Sequence, residues 1–318
     1  MNKMAAVLVL ALAADCSSAA TSQAQAFSPF AFSYEVLPYE NLINPPGGTF
    51  LEVAKIQAQK LQASLAFPLR FAREEGLFIG TGVVYERIDL DYEYWNQAAV
   101  WPVRIGTLHS VGLPVSLRGR LGENWSLRGY VVPGLESDFE SHISRNDFSV
   151  QGEFVVQRSY GRGLILGIGG LYTRDLGRPF PLPAIAIEWR RGRWSASGLL
   201  PVRSQINYDV MQELSFGGNF RISGSQYHGD PEIYGVAEPE IRYRDFTLGG
   251  IVTLNAGGGS RLELESGLAF SRRSRLYDNG TLVSNLDLKD TMYTRIGIRL
   301  GGIGGGRGGG RGRGRGRS

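Results

Sequence analysis

The chain has 318 residues, of which 42% are hydrophobic and 20% charged, and its formal net charge is +4 at neutral pH. This length accommodates one large domain or two small ones, and no proline- or serine-rich linker or internal repeat divides it. A single cysteine excludes an intramolecular disulfide framework, and no apolar run approaches the roughly 20 residues of a membrane-spanning helix.

The first 26 residues have the composition of a secretory signal peptide. Lys3 precedes an apolar run at 5–14, and the small-residue triplet at 24–26 predicts cleavage after position 26. The alternatives are a buried N-terminal helix or a lipid attached at Cys16. Cleavage after the triplet leaves an exported chain with no cysteine, which suits a bacterial envelope protein stabilised by other means.

Residues 27–300 read as one all-β domain that contains fourteen predicted strands. The segments are short runs rich in β-branched and aromatic residues, bounded by turn-forming residues. They are 31–38, 49–70, 76–90, 107–118, 123–136, 148–160, 163–174, 182–190, 193–200, 203–209, 213–226, 237–256, 260–276 and 288–300.

Several of these segments alternate strictly between apolar and polar residues. In "RLELESGLAF", Leu262, Leu264 and Leu268 lie on one face, and Glu263 and Glu265 lie on the other. Ionic side chains that face inward would need partners in a dry core, whereas in a water-filled lumen they remain solvated at little cost. An outward belt of leucine suits a bilayer. The pattern predicts lipid on the leucine face and lumen on the glutamate face.

The connections between these strands alternate between short and long. Short turns are predicted at 72–75, 119–122, 161–162, 191–192, 210–212 and 257–259, and longer connections at 39–47, 91–106, 137–147, 175–181, 227–236 and 277–287. Only 201–202 breaks this rhythm. Outer-membrane barrels have short periplasmic turns and longer outer loops. The sequence therefore predicts a closed antiparallel up-and-down transmembrane β-barrel, with fourteen strands favoured and twelve as the alternative, and with both termini in the periplasm.

The stretch "FLEVAKIQAQKLQASL" at 50–65 supports two interpretations. Its apolar residues recur at helical spacing and it is rich in helix formers, so a plug helix inside the barrel is one reading. A long wall strand is the other.

Three segments resemble a family of bacterial outer-membrane β-barrels that is known only as a domain of unknown function. They are "WSLRGYVVPGLESDF", "GRPFPLPAIAIEWRRGRWSASGLLP" and "EIRYRDFTLGGIVTLNAGGGSRLELESGLAFSRR". The resemblance covers most of 30–300. It implies a barrel in the outer membrane, a long strand at 49–70 and contact with the outer-membrane insertion machinery. It implies no chemistry. Outer-membrane proteins usually end on an aromatic residue, whereas here eighteen residues follow Leu300.

Those last residues, 301–318, form a low-complexity tail of glycine and arginine that is predicted to be disordered. Five arginines in it account for the positive charge of the whole chain. For an exported chain, no nucleic acid is expected as a partner, and the candidate polyanions are lipopolysaccharide phosphates and cell-wall carboxylates. A solvated tail without a partner is the alternative. The polyanion-contact candidates are Arg307, Arg311, Arg313, Arg315 and Arg317.

No metal, cofactor or nucleotide motif stands out, and the protein is predicted not to be an enzyme. His142 and Ser144 in the connection at 137–147, with Asn146 or Glu140 as orienting group, are the residues that a lipid-active hydrolase could use. The surrounding sequence predicts an exposed loop, in which polar residues of this kind are common without any catalytic role.

Two functions follow from the predicted barrel. The first is a small-solute channel or uptake pore, and the second is a structural or adhesive barrel with a plugged lumen, whose loops or tail make the contacts. Outer-membrane lipid and lipopolysaccharide are expected partners of either, and a small solute is the further partner of a channel. Fourteen strands lie between the filled eight-stranded barrels and the open porins. The lumen candidates are Arg128, Glu263, Glu265, Arg295 and Arg299.

Overall fold

The fold is taken from a computed structural model. It describes residues 29–41, 53–72, 76–94, 106–140 and 142–301. The predicted signal peptide and all five arginines of the tail lie outside the described residues.

Sixteen strand segments, a 3-10 turn and one short helix lie within the described residues. The segments are β1 (Phe30–Asn41), β2 (Val53–Ala72), β3 (Leu77–Tyr94), β4 (Thr107–Gly112), β5 (Val115–Arg120), β6 (Trp125–Ser137), β7 (Phe148–Ser159), β8 (Leu164–Thr173), β9 (Phe180–Arg191), β10 (Trp194–Leu200), β11 (Arg203–Asp209), β12 (Leu214–His228), β13 (Pro239–Gly257), β14 (Ser260–Asp278), β15 (Thr281–Leu288) and β16 (Thr291–Leu300). The 3-10 turn is Arg145–Asp147, and the helix α1 is Pro231–Tyr234.

The sixteen segments form fourteen wall strands of one closed antiparallel barrel. β4 and β5 both pair with β3 and β6, so they are two halves of one strand, which breaks at Leu113 and Pro114. Proline cannot donate to the sheet ladder, which explains the break. β15 and β16 likewise pair with successive parts of β14. Pairing of β1 with β16, from Phe30 opposite Leu300 onward, closes the wall. The predicted fold class and the favoured strand number are confirmed.

The segment that could have been a helix is a wall strand. β2 pairs with β1 on one side and with β3 on the other, and Ile56, Ala58 and Lys60 are buried on its inner face. Its helix propensity amounts to a few tenths of a kcal/mol per residue. Two ladders of backbone hydrogen bonds outweigh that preference. The family resemblance also implied a long strand here.

One predicted connection is wrong. The region 277–287 is not a long loop, because β14 continues to residue 278 and β15 begins at 281. The turn between them consists of Asn279 and Gly280, which both have positive φ, 52° and 79°. Asn-Gly is the sequence that favours such a two-residue hairpin turn. The barrel wall is therefore taller on this side than the sequence interpretation allowed.

The two faces of the wall differ as the alternation predicted. On β14, Leu262, Leu264 and Leu268 are exposed on the outside, whereas Glu265 is 2% exposed inside. The same outward apolar face continues around the barrel. It includes Val115, Val131, Phe148, Val150, Phe154, Ile168, Tyr172, Ile185, Ile206, Phe216, Leu248, Met292 and Ile296. Such a belt would be intolerable in water and matches the requirement of a bilayer.

The wall is uneven in height. β13 and β14 have 19 residues each, whereas β10 and β11 have 7 each and are joined at residues 201–202. The first residue of β1 and the last residue of β16, Phe30 and Leu300, lie together at the end of the barrel that carries the short turns.

Candidate functional site in the barrel interior

A first network of charges crosses the interior between opposite parts of the wall. Lys60 on β2 forms an ion pair with Asp245 on β13, and its Nζ lies 3.4 Å from a carboxylate oxygen of Glu35 on β1. Glu35 in turn pairs with Arg221 on β12. Lys60, Glu35 and Asp245 are all at most 5% exposed. Since buried charges are costly without partners, this chain of contacts ties β1 and β2 to β12 and β13.

A second network lies lower in the interior and is centred on Glu153 of β7. Its carboxylate accepts a hydrogen bond from Arg203 on β11 at 3.1 Å and forms an ion pair with Arg128 on β6, whose Nε lies 3.0 Å away. The guanidinium of Arg128 also lies 3.5 Å from Glu188 on β9. Arginine suits this arrangement because its planar fork can serve two carboxylates at once.

A third network joins opposite walls of the barrel near the long-loop end, and this contact is called the pinch below. Arg174 donates to Glu136 at 2.7 Å, and Ser225 on β12 donates to the same carboxylate at 2.9 Å. Just above, the backbone N–H of Asp138 donates to the carbonyl of His228 at 3.2 Å. The end of β6 thus meets the end of β12 directly, although five strands separate them along the wall. This contact narrows the lumen.

The lumen candidates from the sequence all lie on the inner face. Glu263 lies 3.6 Å from Arg299, and Glu265 lies 3.6 Å from Arg295. The fifth, Arg128, belongs to the network around Glu153. Sequence reasoning missed the residues that cross the interior. They are Glu35, Lys60, Glu136, Arg174, Arg221 and Asp245.

Apolar side chains fill the half of the interior nearest the long loops. Tyr234 of α1 is 3% exposed, because the helix folds over the end of the barrel and places this ring among residues from the wall. The packed cluster includes Leu37, Ile56, Ile88, Leu90, Leu108, Tyr227, Ile241, Tyr243, Leu276, Leu286, Leu288 and Tyr293. Close-packed side chains of this kind exclude water. This half of the lumen is a core rather than a pore.

A half-open cavity of about 210 Å³ lies in the lumen below the pinch. Its lining includes four carboxylates and one arginine. They are Glu86, Glu136, Glu153, Asp175 and Arg203. The phenol of Tyr227 donates to Glu86 at 3.0 Å. Glu136 and Glu153 already pair with arginines, so Glu86 and Asp175 are the carboxylates that give the cavity its acidic character. Its volume corresponds to about seven water molecules at about 30 Å³ each.

Asp175, in the connection between β8 and β9, has a shifted pKa. Burial, reinforced by the nearby carboxylate of Glu86, raises the pKa of Asp175 from 3.8 to about 6, against the opposing effects of Thr173 and Arg203. The folded protein therefore holds this proton more tightly than the unfolded chain does. The resulting stabilisation is complete below pH 4 and is lost as the pH rises through about 6.

The variant Asp175→Asn is expected to be more stable than the wild type above pH 6, by about 1–3 kcal/mol, and equally stable at pH 4. Urea unfolding followed from pH 4 to 8 in lipid vesicles measures this difference. Asp290→Asn removes an exposed carboxyl and serves as the control for net charge. A stability gain for Asp175→Asn that is the same at every pH would contradict the assignment.

The hydrolase candidates are not brought together. Ser144 caps the 3-10 turn, where its hydroxyl accepts from the backbone N–H of Asn146 at 3.1 Å, and His142 is exposed. No hydrogen bond joins His142 to Ser144 among the described residues. Nor do those residues contain a group of three or more potential metal ligands. In the same part of the chain, no helix has both the length and the apolar character needed to cross a bilayer.

A family model described as a domain of unknown function, DUF6268, matches residues 20–300. The chain belongs to the DUF6268 family. No curated protein matches the sequence.

Solved barrels resemble the DUF6268 fold at low identity. A deletion mutant of the monoaromatic hydrocarbon channel TodX is 10% identical with a TM-score of 0.43, covering 86% of this chain and 90% of that chain. The toluene transporter TodX of Pseudomonas putida is 10% identical with a TM-score of 0.37, covering 85% and 88%. The β domain of the Bordetella autotransporter BrkA is 9% identical with a TM-score of 0.36, covering 86% and 100%. Scores at this level carry no argument about what the chain binds or transports.

Proposed function

We propose that this protein is a non-enzymatic barrel of the bacterial outer membrane whose lumen is closed at rest and whose role is structural. The observation that carries this proposal is the ion-pair network through Lys60, Glu35, Asp245 and Arg221, which crosses the interior beneath a packed apolar plug. A conduit for ions would have to break several buried charge pairs, and each break is costly.

Its placement in the outer membrane rests on three features that act together. The predicted signal peptide exports the chain, the outward apolar belt requires hydrocarbon, and the closed wall leaves no unpaired backbone edge in lipid. By the same reasoning, the end with the short turns and both described termini faces the periplasm. The long-loop end then faces outward, as in other barrels of this class.

A small-solute pathway is the second candidate, and the acidic cavity favours it. Four carboxylates line that space together with Arg203, so a small cation is the solute it would admit. Passage would require the contact between Arg174 and Glu136 to open, since the pinch lies directly above the cavity.

In planar bilayers the wild-type protein is expected to show no discrete conductance steps, because the plug and the networks leave no continuous water path. Protein that has inserted correctly is identified separately by its heat-dependent mobility on electrophoresis. The variant Arg174→Ala/Glu136→Ala opens the pinch while removing one charge of each sign, and it is the matched comparison. Steps in the wild type would overturn the closed barrel. Cation-selective steps in the variant alone would favour the gated pathway.

A further inference from the structure

Five arginines converge on the outer surface of the barrel near the long-loop end. Arg242 and Arg244 come from β13, Arg273 and Arg275 from β14, and Arg178 from the connection between β8 and β9. They line an open pocket of about 380 Å³, together with Leu176, Gly177, Phe180 and Tyr277. None of these arginines belongs to the networks of the interior.

A local change of register places two of these arginines outside. Below it, the inward residues of β14 are odd-numbered, such as Glu265 and Ala269. Ser271 has a φ of +51°, and above it Arg272 and Ser274 are buried instead. Without this irregularity the alternation would send Arg273 and Arg275 into the lumen. The fold therefore contains a specific device that brings them to the outer face.

The pairing of β13 with β14 sets like charges against each other. Arg242 lies directly opposite Arg275, and Arg244 lies directly opposite Arg273. Like charges at directly opposed positions destabilise a sheet. Two such pairs in succession imply a negatively charged group that offsets the repulsion.

The described residues supply too few negative charges for this role. Arg242 pairs with Glu240, and Arg273 pairs with Asp287 at 2.9 Å. Arg275 donates to an uncharged amide, Asn285, at 2.7 Å. Within the part of the chain that the structure describes, Arg178 and Arg244 form no ion pair, and Asp287, the carboxylate that acts on Arg244 at longer range, is already paired with Arg273.

The Nε of Arg244 is also buried without a hydrogen-bond partner in the described structure. Its guanidinium is held 5.2 Å from the ring of Phe246, that of Arg178 5.7 Å from Phe180, and that of Arg242 4.0 Å from Tyr277. The aromatic faces thus preorganise charged groups whose donors are not all used.

The arginine cluster lies just above the apolar belt. On β13 it is followed by Phe246 and the exposed Leu248, and on β14 it is preceded by Leu268 and Phe270. This is the depth at which acyl chains give way to phosphates. Guanidinium groups bind phosphate through paired, charge-assisted hydrogen bonds. We propose that the cluster of Arg178, Arg242, Arg244, Arg273 and Arg275 binds the phosphate groups of lipopolysaccharide.

This assignment rests on the outward orientation given under the proposed function. A free phosphate ion shares the same chemistry, but Leu176, Phe180 and the adjoining belt give the pocket an apolar side that only a lipid would use.

The test compares binding of phosphorylated lipopolysaccharide, enzymatically dephosphorylated lipopolysaccharide and inorganic phosphate to the full-length barrel in detergent by native mass spectrometry. The variant Arg244→Gln/Arg273→Gln removes one of the opposed pairs. It is expected to lose about tenfold or more in affinity for the phosphorylated lipid, since hydrogen bonds to charged groups are among the strongest. Without lipid the variant should be as stable as the wild type or more so, because the repulsion is relieved.

The matched control is Arg190→Gln/Arg191→Gln, which removes two exposed arginines at the short-turn end and should bind as the wild type does. Equal affinity of the cluster variant, or undiminished binding of the dephosphorylated lipid, would overturn the proposal. Inorganic phosphate that binds as tightly as the lipid would assign the site to a free anion instead. Heat-dependent mobility, measured on the same samples, reports separately whether the barrel itself has formed.

Discussion

The variant Lys60→Met is expected to lose about 3–5 kcal/mol of unfolding free energy, because it leaves a buried charge without its partner. Lys60 is 3% exposed, and its ammonium group joins Asp245, which is fully buried, to Glu35. Glu35 retains Arg221 in the variant, whereas Asp245 loses its ion pair. Methionine keeps most of the side-chain volume, so the loss reports on charge rather than on a cavity. Urea unfolding in lipid vesicles at pH 8 measures it.

Two companion variants separate charge from packing. Lys60→Met/Asp245→Asn removes both charges and is expected to recover a large part of the lost stability, since replacing a whole buried pair is far less costly than breaking it. Arg190→Met breaks the exposed pair with Asp209, whose atoms lie 3.1 Å apart, and should change stability by no more than about 1 kcal/mol. If Lys60→Met behaved like Arg190→Met, the network would not hold the interior together.

The variant Leu264→Arg is expected to destabilise the protein by about 2–4 kcal/mol in a bilayer, which is the cost of arginine near the midplane of a membrane barrel. Leu264 is 51% exposed on the outer face, within the apolar stretch of β14 that runs from Leu262 to Phe270 and two residues from its centre at Ser266. Urea unfolding of the variant and of the wild type in lipid vesicles measures this difference.

Leu121→Arg is the matched control for this substitution. Leu121 is 59% exposed but lies in the turn between β5 and β6, at the membrane interface, where the same change costs about 0–1 kcal/mol. A folded, monomeric wild-type protein in plain buffer, with both variants equally stable, would exclude a membrane barrel.

Much of the wall could be predicted because each strand reports its own environment. Alternation at Leu262, Leu264 and Leu268 is a local property of extended chain with lipid on one side, and it needs no knowledge of the neighbouring strands. The hairpin at Asn279 and Gly280 has an equally local sequence signal. The alternation of short and long connections predicted a long loop there instead. At β2, helix propensity and strand pairing conflicted, and only the ladders on both sides decide between them.

The interior could be predicted only in part. Glu263 and Arg299 lie on neighbouring strands with clean alternation, so their placement follows from local pattern. Lys60 and Asp245 are 185 positions apart in the sequence, and their contact depends on how closely β2 and β13 approach each other across the lumen. The arginine cluster likewise could not be predicted from the sequence, because the change of register at Ser271 decides which face of the wall Arg273 occupies.

The uneven wall has a consequence for the surrounding lipid. Seven residues of β10 or β11 extend about 23 Å, or roughly 18 Å of height at a tilt of about 40°, which is less than the usual apolar band of about 25 Å. The 19 residues of β13 or β14 reach about 48 Å on the same basis. Acyl chains beside the low side must compress, or the whole molecule must lean, to keep both sides covered. The protein therefore deforms the leaflet unequally around its circumference, and its stability should depend on the length of the fatty acids that surround it.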